Sequence, residues 1–469
     1  MTHDPHRPTI HFSPPANWMN DPCGLVWHDG VFHLYYQHNP HENRWGPMHW
    51  GHAVSEDLFH WRDRPVALAP DDVHGMAFTG SAVSLGGRAA APTAAAGSER
   101  LCAVYTGALP RGSVHSTLQQ QCLATSADGE EWTPSGVVLP NPGIADFRDP
   151  KVGWHPGAGR WYLVLAAGNH VRFYSSSDLL QWHYESSFGH GLGYADGEWE
   201  CPDLFELALP GGGSRWVLVV HVGRGLSNRY AGSQYITGEF DGTRFVAAEP
   251  DFRPVDHGHD FYAAQSWSGT GARRIWIAWA SHWAHSDQPH TTGWAGTMTL
   301  PRELSLTTTA TGMAVLRQRP VREFTHLSAQ ELSSGMIEPT LHSETAAYRI
   351  TVDSPYSSSV LVTLEFGGAG VVTIERTAGD LRIDRSACDM GSFNERIDPD
   401  KTVPLIGYPG TMEIVFDHSI LEVFVDDGVT VTTDLLYPRE RLSSISCGAG
   451  ASRDAGTCSL YALQPTVNR

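Results

Sequence analysis

Three acidic residues in the first half of the chain have neighbours that suit acid and base chemistry. Asp21 follows Asn20 and precedes a proline, and Asp149 follows Arg148 and also precedes a proline. Glu200 lies between a tryptophan and a cysteine. Each motif alone is typical of an ordinary turn. Together, one carboxylate acting as nucleophile and a second acting as acid could cleave a glycosidic bond, provided that the fold brings them into one cavity.

A repeat in the sequence predicts such a fold. Five apolar, aromatic-rich runs each predict a buried strand, at 32–36, 101–105, 161–165, 216–220 and 275–279. A glycine-containing turn precedes each run, at 29–30, 86–87, 157–159, 211–213 and 269–271. In three units a Ser-x-Asp turn and a tryptophan follow, at 55–61, 126–132 and 176–182. Five units of about four strands predict a five-bladed β-propeller.

In a propeller, the residues just before the first strand of each unit gather at one end of the central channel. These residues are 20–22, 78–81, 147–150, 199–203 and 260–262. The arrangement brings Asp21, Asp149 and Glu200 together, although like charges repel and raise one another's pKa. Catalysis by a pair of carboxylates would explain why the fold tolerates that repulsion.

The neighbours of each carboxylate suggest its role. Asp21, beside the Asn20 carboxamide, suits the nucleophile. Glu200 has apolar neighbours, so we expect a raised pKa and a role as acid and base. We expect Arg148 to keep Asp149 ionised, so that Asp149 can stabilise a positively charged transition state. Aromatic residues would form the cavity walls, namely Trp18, Trp45, Phe78, Trp279 and Trp283, whereas core packing is the expected role of most of the 16 tryptophans.

Composition narrows the partners. The 469 residues carry a net charge of -19, from 51 acidic and 32 basic side chains, which argues against nucleic acid or an anionic membrane and favours a neutral substrate. No run of about 18 apolar residues predicts a membrane span. The sequence indicates no cofactor, and it does not define an oligomeric state. Two histidine pairs, His49/His52 and His257/His259, lack a third ligand at a diagnostic spacing, so no metal site is predicted.

Cysteine usage and the N-terminus favour the cytoplasm. The seven cysteines form no C-x-x-C pair, which predicts reduced thiols rather than a disulfide framework. The first residues contain no apolar stretch typical of a secretory signal, and the Asn20-Asp21 motif follows too soon for a cleavable one. We therefore expect a cytoplasmic protein.

The ordered motifs resemble glycoside hydrolase family 32, the invertase, levanase and inulinase group. The resemblance covers nearly the whole chain and rests on the segments 17–24, 45–53, 78–81, 147–150, 199–203 and 260–263. It implies a five-bladed propeller with a C-terminal β-sandwich and retaining cleavage of β-fructofuranosides. It also implies Asp21 as nucleophile, Glu200 as acid and base, and Asp149 as transition-state stabiliser.

The resemblance further implies which residues contact the fructosyl unit, namely Asn20, Gln37, Trp45, Phe78, Thr79 and Arg148. The amino-acid sequences of segments 45–52 and 260–267 are most similar to those of exo-acting levanases and inulinases. Three features depart from the family's usual pattern. Cys23 stands where asparagine is usual, Thr79 stands where serine is usual, and the segment 284–290 after Trp283 differs on the side where the leaving group would lie.

The last third of the chain has a different pattern. Apolar and polar residues alternate at 346–352, 360–366, 371–375, 412–416, 420–425 and 430–435, which predicts an antiparallel sandwich. We therefore predict a propeller at 1–318, a linker at 319–339 with a short amphipathic piece at 328–332, and a β-sandwich at 340–469. The segment 416–424 is similar to a sandwich hairpin of the family, and we expect a structural role for it.

Several functions fit these observations. The first is a retaining exo-β-fructosidase acting on levan, inulin, fructo-oligosaccharides or sucrose. A levan fructotransferase or a disaccharide-releasing fructan hydrolase is the alternative within the same chemistry. An inverting five-bladed glycosidase such as an arabinanase, or a non-catalytic sugar-binding propeller, would be a different class of protein.

Overall fold

The fold was analysed in a computed structural model. It describes residues 4–85, 100–113, 116–224, 230–335, 337–340, 347–355, 358–368, 370–406, 410–449 and 457–466. The described residues form 34 strands and two short 3-10 helices, Arg322–Leu327 and Gly391–Arg396. The predicted turn at 86–87 lies outside the described residues.

Twenty-two strands form five antiparallel sheets, the blades of a propeller. The first blade contains β1 (Asn17–His28), β2 (Val31–Asn39), β3 (His49–Ser55) and β4 (Arg62–Leu68). The second contains β5 (Met76–Ser84), β6 (Leu101–Ser113), β7 (Ser116–Ser126) and β8 (Thr133–Leu139). The third contains β9 (Phe147–His155), β10 (Arg160–Ala167), β11 (Val171–Ser176) and β12 (His183–Phe188).

The last two blades are less regular. The fourth contains β13 (Trp199–Ala208), β14 (Ser214–Arg224), β15 (Tyr230–Phe240), β16 (Phe245–Ala247) and β17 (Arg253–Pro254). The fifth contains β18 (Tyr262–Ser266), β19 (Ile275–Trp279), β21 (Arg302–Thr308) and β22 (Ala314–Pro320). Between β19 and β21 the chain leaves the fifth blade, and β20 (Trp294–Ala295) pairs in parallel with the start of β1. This pairing joins the last blade to the first.

The five predicted apolar runs are the second strands of the five blades, so the predicted repeat is confirmed. The Ser-x-Asp turns close the third strands through side-chain bonds to the backbone. For example, Asp57 Oδ1 accepts the backbone N–H groups of Phe59 and His60, at 3.0 and 2.8 Å. The tryptophan after the second such turn, Trp132, donates its indole N–H to Tyr35 Oη of the first blade at 3.1 Å. Trp132 therefore helps to join the second blade to the first.

The first strand of every blade contains a β-bulge at its start, where the predicted motifs lie. The register slips by one residue between Met19 and Pro22, and the same slip occurs at the start of β5, β9, β13 and β18. A bulge turns side chains out of the ordinary alternation of a strand. The prediction placed the motifs just before the first strands. The first four motifs lie within those strands instead, and the fifth ends at the first residue of β18. The bulges turn side chains of these motifs toward the channel.

The remaining strands form a β-sandwich of two six-stranded sheets. One sheet contains β23 (Ser328–Gly335), β25 (Ala347–Asp353), β30 (Thr411–Asp417), β31 (Ile420–Val425), β32 (Thr430–Leu435) and β34 (Thr457–Leu463). The other contains β24 (Ile337–Thr340), β26 (Val360–Phe366), β27 (Gly370–Arg376), β28 (Asp380–Asp384), β29 (Asp400–Pro404) and β33 (Leu442–Ala449). Apolar side chains of both sheets form one core, as the alternating pattern predicted.

Strands occupy both ends of the predicted linker 319–339: β22 of the propeller continues to Pro320, and β23 pairs with β34 of the sandwich from Ser328 onwards. The expectation that all cysteines are reduced is wrong, because Cys447 and Cys458 form a disulfide between the two sheets of the sandwich. Cys23, Cys102, Cys122, Cys201 and Cys388 are buried free thiols.

A network of buried charges joins the propeller to the sandwich, and we call it the seam. Its members are His11, Asp256, Arg302, Asp417 and Glu422, all of which are buried. Arg302 Nη2 lies 2.6 Å from Glu422 Oε2, and Arg302 Nη1 lies 3.0 Å from Asp256 Oδ2. His11 lies between Asp417 and Glu422, at 2.9 and 3.0 Å. The predicted hairpin 416–424 supplies the last two residues, so it holds the domains together.

Candidate active site

A cavity of about 380 Å³ opens at the bulged end of the channel. Its lining includes all three predicted carboxylates and seven of the eight predicted substrate-binding residues. The lining residues are Trp18, Asn20, Asp21, Gln37, Trp45, Phe78, Thr79, Arg148, Asp149, Glu200, Trp283 and Asp287. Four of the five blades contribute first-strand residues to this lining, which is why separate sequence motifs meet there.

Asp21 lies at the buried end of the cavity. Its Oδ2 atom accepts hydrogen bonds from the Thr79 hydroxyl at 3.1 Å and from the Cys201 thiol at 3.4 Å. Its Oδ1 atom is buried and has no hydrogen-bond partner within the described part of the chain. Burial, together with the negative charge of Glu200, raises the pKa of Asp21 to about 6, because a charged carboxylate is less stable when it is removed from water.

Asp149 lies beside Asp21, and one thiol connects the two carboxylates. Cys201 Sγ is 3.5 Å from Asp149 Oδ2, and the backbone N–H of Cys201 donates to the same oxygen at 2.9 Å. Burial raises the pKa of Asp149 to about 7, although Arg148 opposes the shift. Arg148 Nε is 4.0 Å from Asp149, and the guanidinium binds Glu200 and Asp146 more closely, so its charge lowers the pKa of Asp149 without offsetting the effect of burial.

Glu200 is the main partner of Arg148. Arg148 Nη2 lies 2.9 Å from Glu200 Oε1, and Arg148 also binds Asp146, which is outside the cavity lining. The Tyr262 hydroxyl donates a hydrogen bond to the other oxygen of Glu200, Oε2. Both carboxylate oxygens are thus held from fixed directions. The Glu200 side chain is 20% exposed. It therefore lies nearer the mouth of the cavity than Asp21 and Asp149 do.

Aromatic rings form one wall, in an arrangement that corrects one prediction. Trp283 stacks on Trp18, with ring centroids 6.3 Å apart and planes inclined by 23°. Trp279 does not line the cavity. It is fully buried behind these rings, 6.0 Å from Trp18 and 5.0 Å from Trp283. Trp279 therefore supports the wall, as the core-packing alternative anticipated for most tryptophans.

Hydrogen bonds to neighbouring residues fix the polar side chains of the cavity wall. Asn20 Oδ1 accepts the indole N–H of Trp18 at 2.7 Å. Gln37 donates to the backbone carbonyl of Ala77 at 3.0 Å and to Cys23 Sγ at 3.8 Å. Cys23 itself is completely buried, so it contacts a cavity residue without lining the cavity.

Three residues of the site were not assigned a role from the sequence. Tyr262 and Cys201 belong to motifs that the analysis singled out, and their positions at the bulges of the fifth and fourth blades are the signal that could have identified them. Asp287 lies in the segment that departs from the family pattern. Conversely, Asp260 was expected in the cavity but points away from it, because its carboxylate binds His285 at 2.6 Å and the backbone N–H of Leu435 at 2.7 Å.

The described residues contain neither a metal-binding cluster nor a membrane-spanning helix. They contain no group of three histidine, cysteine, aspartate or glutamate side chains that could hold a metal ion. Within the same residues, no helix has the length and apolar character needed to cross a membrane.

This geometry defines a class of protein. A cavity with aromatic walls, two neighbouring buried carboxylates and a third, less buried carboxyl is suited to sugar binding and to glycosidic bond cleavage. Residues 11–320 match the glycosyl hydrolases family 32 N-terminal domain, and residues 314–461 match the glycosyl hydrolases family 32 C terminal. The chain belongs to glycoside hydrolase family 32.

Individual relatives agree with this assignment. The chain is 40% identical to a levanase of Bacillus subtilis (strain 168) over 465 residues, which are 92% of this chain and 66% of the levanase. It is 35% identical to a sucrose-6-phosphate hydrolase of Escherichia coli, over 94% of this chain and 91% of that protein. The crystal structure of exo-inulinase from Aspergillus awamori superimposes with a TM-score of 0.87 and 28% identity, over 99% of both chains.

Proposed function

We propose that the protein is a retaining exo-β-fructosidase that hydrolyses terminal, non-reducing β-D-fructofuranosyl residues of fructans, fructo-oligosaccharides or sucrose. The observation that carries the proposal is the meeting of Asp21, Asp149 and Glu200 in one cavity. The similarity to a levanase, a sucrose-6-phosphate hydrolase and an exo-inulinase supports fructosides as the substrate class.

Asp21 is the nucleophile of the proposed mechanism. Its Oδ2 atom is held by Thr79 and Cys201, whereas Oδ1 has no partner among the described residues. Oδ1 attacks the anomeric carbon and forms an ester bond, while the bond from that carbon to the leaving oxygen breaks. Because ionised Asp21 is required, the raised pKa means that activity increases as the pH rises through about 6.

Glu200 is the acid and then the base. In the first step it gives its proton to the leaving oxygen. In the second step it takes a proton from a water molecule, which attacks the anomeric carbon and releases Asp21. The hydrogen bonds from Arg148 and Tyr262 hold the carboxyl in place for both transfers. Asp149, beside Asp21, binds sugar hydroxyls and stabilises the positive charge that develops on the ring.

Exo-action follows from the shape of the cavity. The most buried lining residues, among them Asn20, Asp21 and Asp149, surround its inner end. A terminal furanosyl unit fits there, and the remainder of the substrate extends through the mouth past Trp283. A fructan chain bound at an internal unit would need a cleft that is open at both ends.

Products and stereochemistry test this proposal. Chromatography of the first products from levan and inulin should reveal fructose alone, and NMR should detect the retained β-anomer before mutarotation. A disaccharide or a cyclic difructose would favour the alternatives of disaccharide release or fructosyl transfer. A first product with inverted configuration, or release of arabinose from arabinan without fructose from fructans, would contradict the proposal.

The role of Glu200 has a separate test. The Glu200→Ala variant should lose at least about 10²-fold in kcat on sucrose, but it should retain turnover on a fructoside with a good leaving group. Azide should raise that turnover, because azide needs no base, and the product should be a fructosyl azide. The control is the configuration of the azide product: azide attack on the ester intermediate of Glu200→Ala retains the β configuration, whereas direct attack in Asp21→Ala would invert it.

We also propose that the protein acts inside the cell on imported oligosaccharides. Five buried free thiols support an intracellular location, whereas the remaining two cysteines, Cys447 and Cys458, are bonded to each other. Detection of the intact protein in culture supernatant without lysis would contradict it.

A further inference from the structure

A turn between His282 and Gln288 supplies two residues at the mouth of the cavity, Trp283 and Asp287. The backbone N–H of Ser286 donates to the carbonyl of His282 at 3.0 Å, and that of Gln288 donates to the carbonyl of His285 at 3.2 Å. Local bonds therefore close the turn, and the stacking of Trp283 on Trp18 fixes one side of it against the cavity wall.

The buried side chain of His285 fixes the other side of this turn to both domains. His285 is only 4% exposed, and its Nε2 atom lies 2.6 Å from Asp260 Oδ1. Asp260 Oδ2 in turn accepts the backbone N–H of Leu435 in the sandwich at 2.7 Å. The His285 ring also packs edge-on against Phe393 of the sandwich, with centroids 5.0 Å apart. The sandwich therefore helps to fix the turn that carries Asp287.

Asp287 differs from the other carboxylates of the cavity in its depth. Asp21 and Asp149 are 8% and 5% exposed, whereas Asp287 is exposed. In the proposed reaction the fructosyl unit lies at the buried end, so the leaving group must lie at the mouth, near Asp287. Arg148 is the one cationic side chain in the described lining, and it is engaged by Glu200 and Asp146. Four carboxyl groups and one guanidinium thus line the cavity, so the ionisable groups that face the substrate are predominantly acidic.

We propose that Asp287 selects substrates whose leaving group is uncharged and excludes those whose leaving group carries a phosphate. This inference rests on the proposed function. A phosphate monoester carries between one and two negative charges near neutral pH, and repulsion between like charges is appreciable near a protein surface. Because the repulsion acts on the whole phosphorylated substrate, it lowers kcat/KM mainly by raising KM.

A pair of matched substrates tests the selection. Sucrose and sucrose phosphorylated on its glucose unit release the same fructosyl group, so the ratio of their kcat/KM values isolates the effect of the phosphate. We expect the wild-type ratio to favour sucrose by about tenfold or more at low ionic strength, and to fall as salt screens the charge. Asp287→Asn should lower the ratio at least fivefold, and Asp287→Lys should lower it further.

The control is Asp380→Asn, which removes one negative charge from an exposed position at the start of β28 and should leave the ratio unchanged. A wild-type enzyme that prefers the phosphorylated sugar would overturn the inference. So would an Asp287→Asn ratio within twofold of wild type. If the wild type hydrolyses neither sucrose nor any fructan, the proposed function fails instead, which keeps the two failures distinguishable.

His285 is a positioning residue in this scheme. His285→Ala should reduce the selectivity ratio, because Asp287 loses its support, and should raise KM for sucrose more than it lowers kcat. His285→Gln can still donate to Asp260 and should restore most of the ratio. The positioning role would be contradicted if, in both variants, kcat fell by the same factor as KM rose and the selectivity ratio stayed unchanged. The melting temperature of each variant separates these results from simple unfolding.

Discussion

The inner end of the cavity and the seam both bury several carboxylates, but they stabilise them to different degrees. In the cavity, Asp21 Oδ1 has no partner among the described residues, and burial raises the pKa of both Asp21 and Asp149, to about 6 and about 7. In the seam, Glu422 accepts bonds from Arg302, His11 and the backbone N–H of Leu300. The cavity keeps carboxylates reactive at a cost in stability, whereas the seam uses fully bonded carboxylates to hold two domains together.

The titration of the seam residues supports this contrast. Burial alone would raise the pKa of Asp417, but the hydrogen bond and charge of His11 lower it to about 2. Burial alone would lower the pKa of His11, but Asp417 and Glu422 raise it to about 9. Buried charges persist when they are paired and hydrogen-bonded. Asp21 and Asp417 thus have opposite pKa shifts, because Asp417 has more donors around it. Burial also raises the pKa of Asp256 in the seam, although Arg302 opposes the shift.

The same substitution in both regions should give opposite results, and this is the largest expected effect. Asp21→Asn should reduce kcat by about 10²-fold or more. It should also raise the free energy of unfolding at pH 8 by up to about 3 kcal/mol, because it removes an unfavourable buried charge. Asp417→Asn should lower stability and leave kcat of the folded enzyme within a few-fold of wild type.

Activity assays at substrate saturation and urea unfolding curves measure the two quantities on the same protein samples. If Asp21→Asn destabilises the protein as much as Asp417→Asn does, the proposed difference between the regions is wrong.

Breaking the seam at Glu422 should cost stability. Glu422→Gln removes one of the two carboxylates that pair with buried Arg302, the other being Asp256, and we expect a loss of about 3–5 kcal/mol in the free energy of unfolding. The matched control is Glu413→Gln on the neighbouring strand β30. Glu413 binds Arg349 at 2.6 Å, but both side chains are partly exposed, so a loss below about 1 kcal/mol is expected. Comparable losses in the two variants would argue against a special role for the seam.

The two regions should also lose stability in different pH ranges. The raised pKa of Asp21 favours the folded state at low pH, and this contribution is lost as the pH rises from about 4 to about 6. The raised pKa of His11 gives a contribution that is present below pH 6.5 and lost as the pH rises through about 9. Each amounts to about 3 kcal/mol as an order of magnitude.

Unfolding free energies measured from pH 4 to pH 10 would resolve the two ranges. Asp21→Asn should flatten the curve only in the lower range, and His11→Gln should flatten it only in the upper range. The idea fails if His11→Gln changes the curve below pH 6 and leaves the range from 6.5 to 9 as in wild type.

The sequence predicted the parts of the molecule that depend on local patterns. The five apolar runs predicted the second strands of the blades, and alternation predicted most strands of the sandwich core. The bulges were not predictable, because a two-residue alternation indicates a strand but not a one-residue slip in its pairing. The seam was missed because its partners are far apart in the chain: His11 and Asp417 are separated by 406 positions.

The candidate site was predictable to a similar extent. The three carboxylates were identified because the repeat places their motifs at equivalent positions of different blades, although each motif alone is typical of an ordinary turn. Trp279 was assigned to the wall because an aromatic residue suits both a sugar-binding wall and the core behind it. Tyr262 and Cys201 received no role because their function depends on which side chain they face across the channel, and that is set by the packing of different blades.

The smallest expected effect concerns the thiol that joins the two cavity carboxylates. Cys201 Sγ donates to Asp21 Oδ2 at 3.4 Å, and such a bond favours the ionised carboxylate. The low-pH limb of kcat/KM, which reports the ionisation of Asp21 in the free enzyme, should therefore shift to higher pH in Cys201→Ala. It should shift to lower pH in Cys201→Ser, because a hydroxyl is a stronger donor than a thiol. Both shifts should be smaller than about one pH unit.

The matched control for this prediction is Cys122→Ala, which removes a buried free thiol of the second blade that does not line the cavity. The control should leave the low-pH limb where it is in wild type. If Cys201→Ala and Cys201→Ser move the limb in the same direction, the thiol acts through packing rather than through its hydrogen bond. If neither variant moves it, Asp21 is not the group whose ionisation limits the reaction at low pH, and the proposed contrast between a reactive cavity and a fully bonded seam loses its main kinetic support.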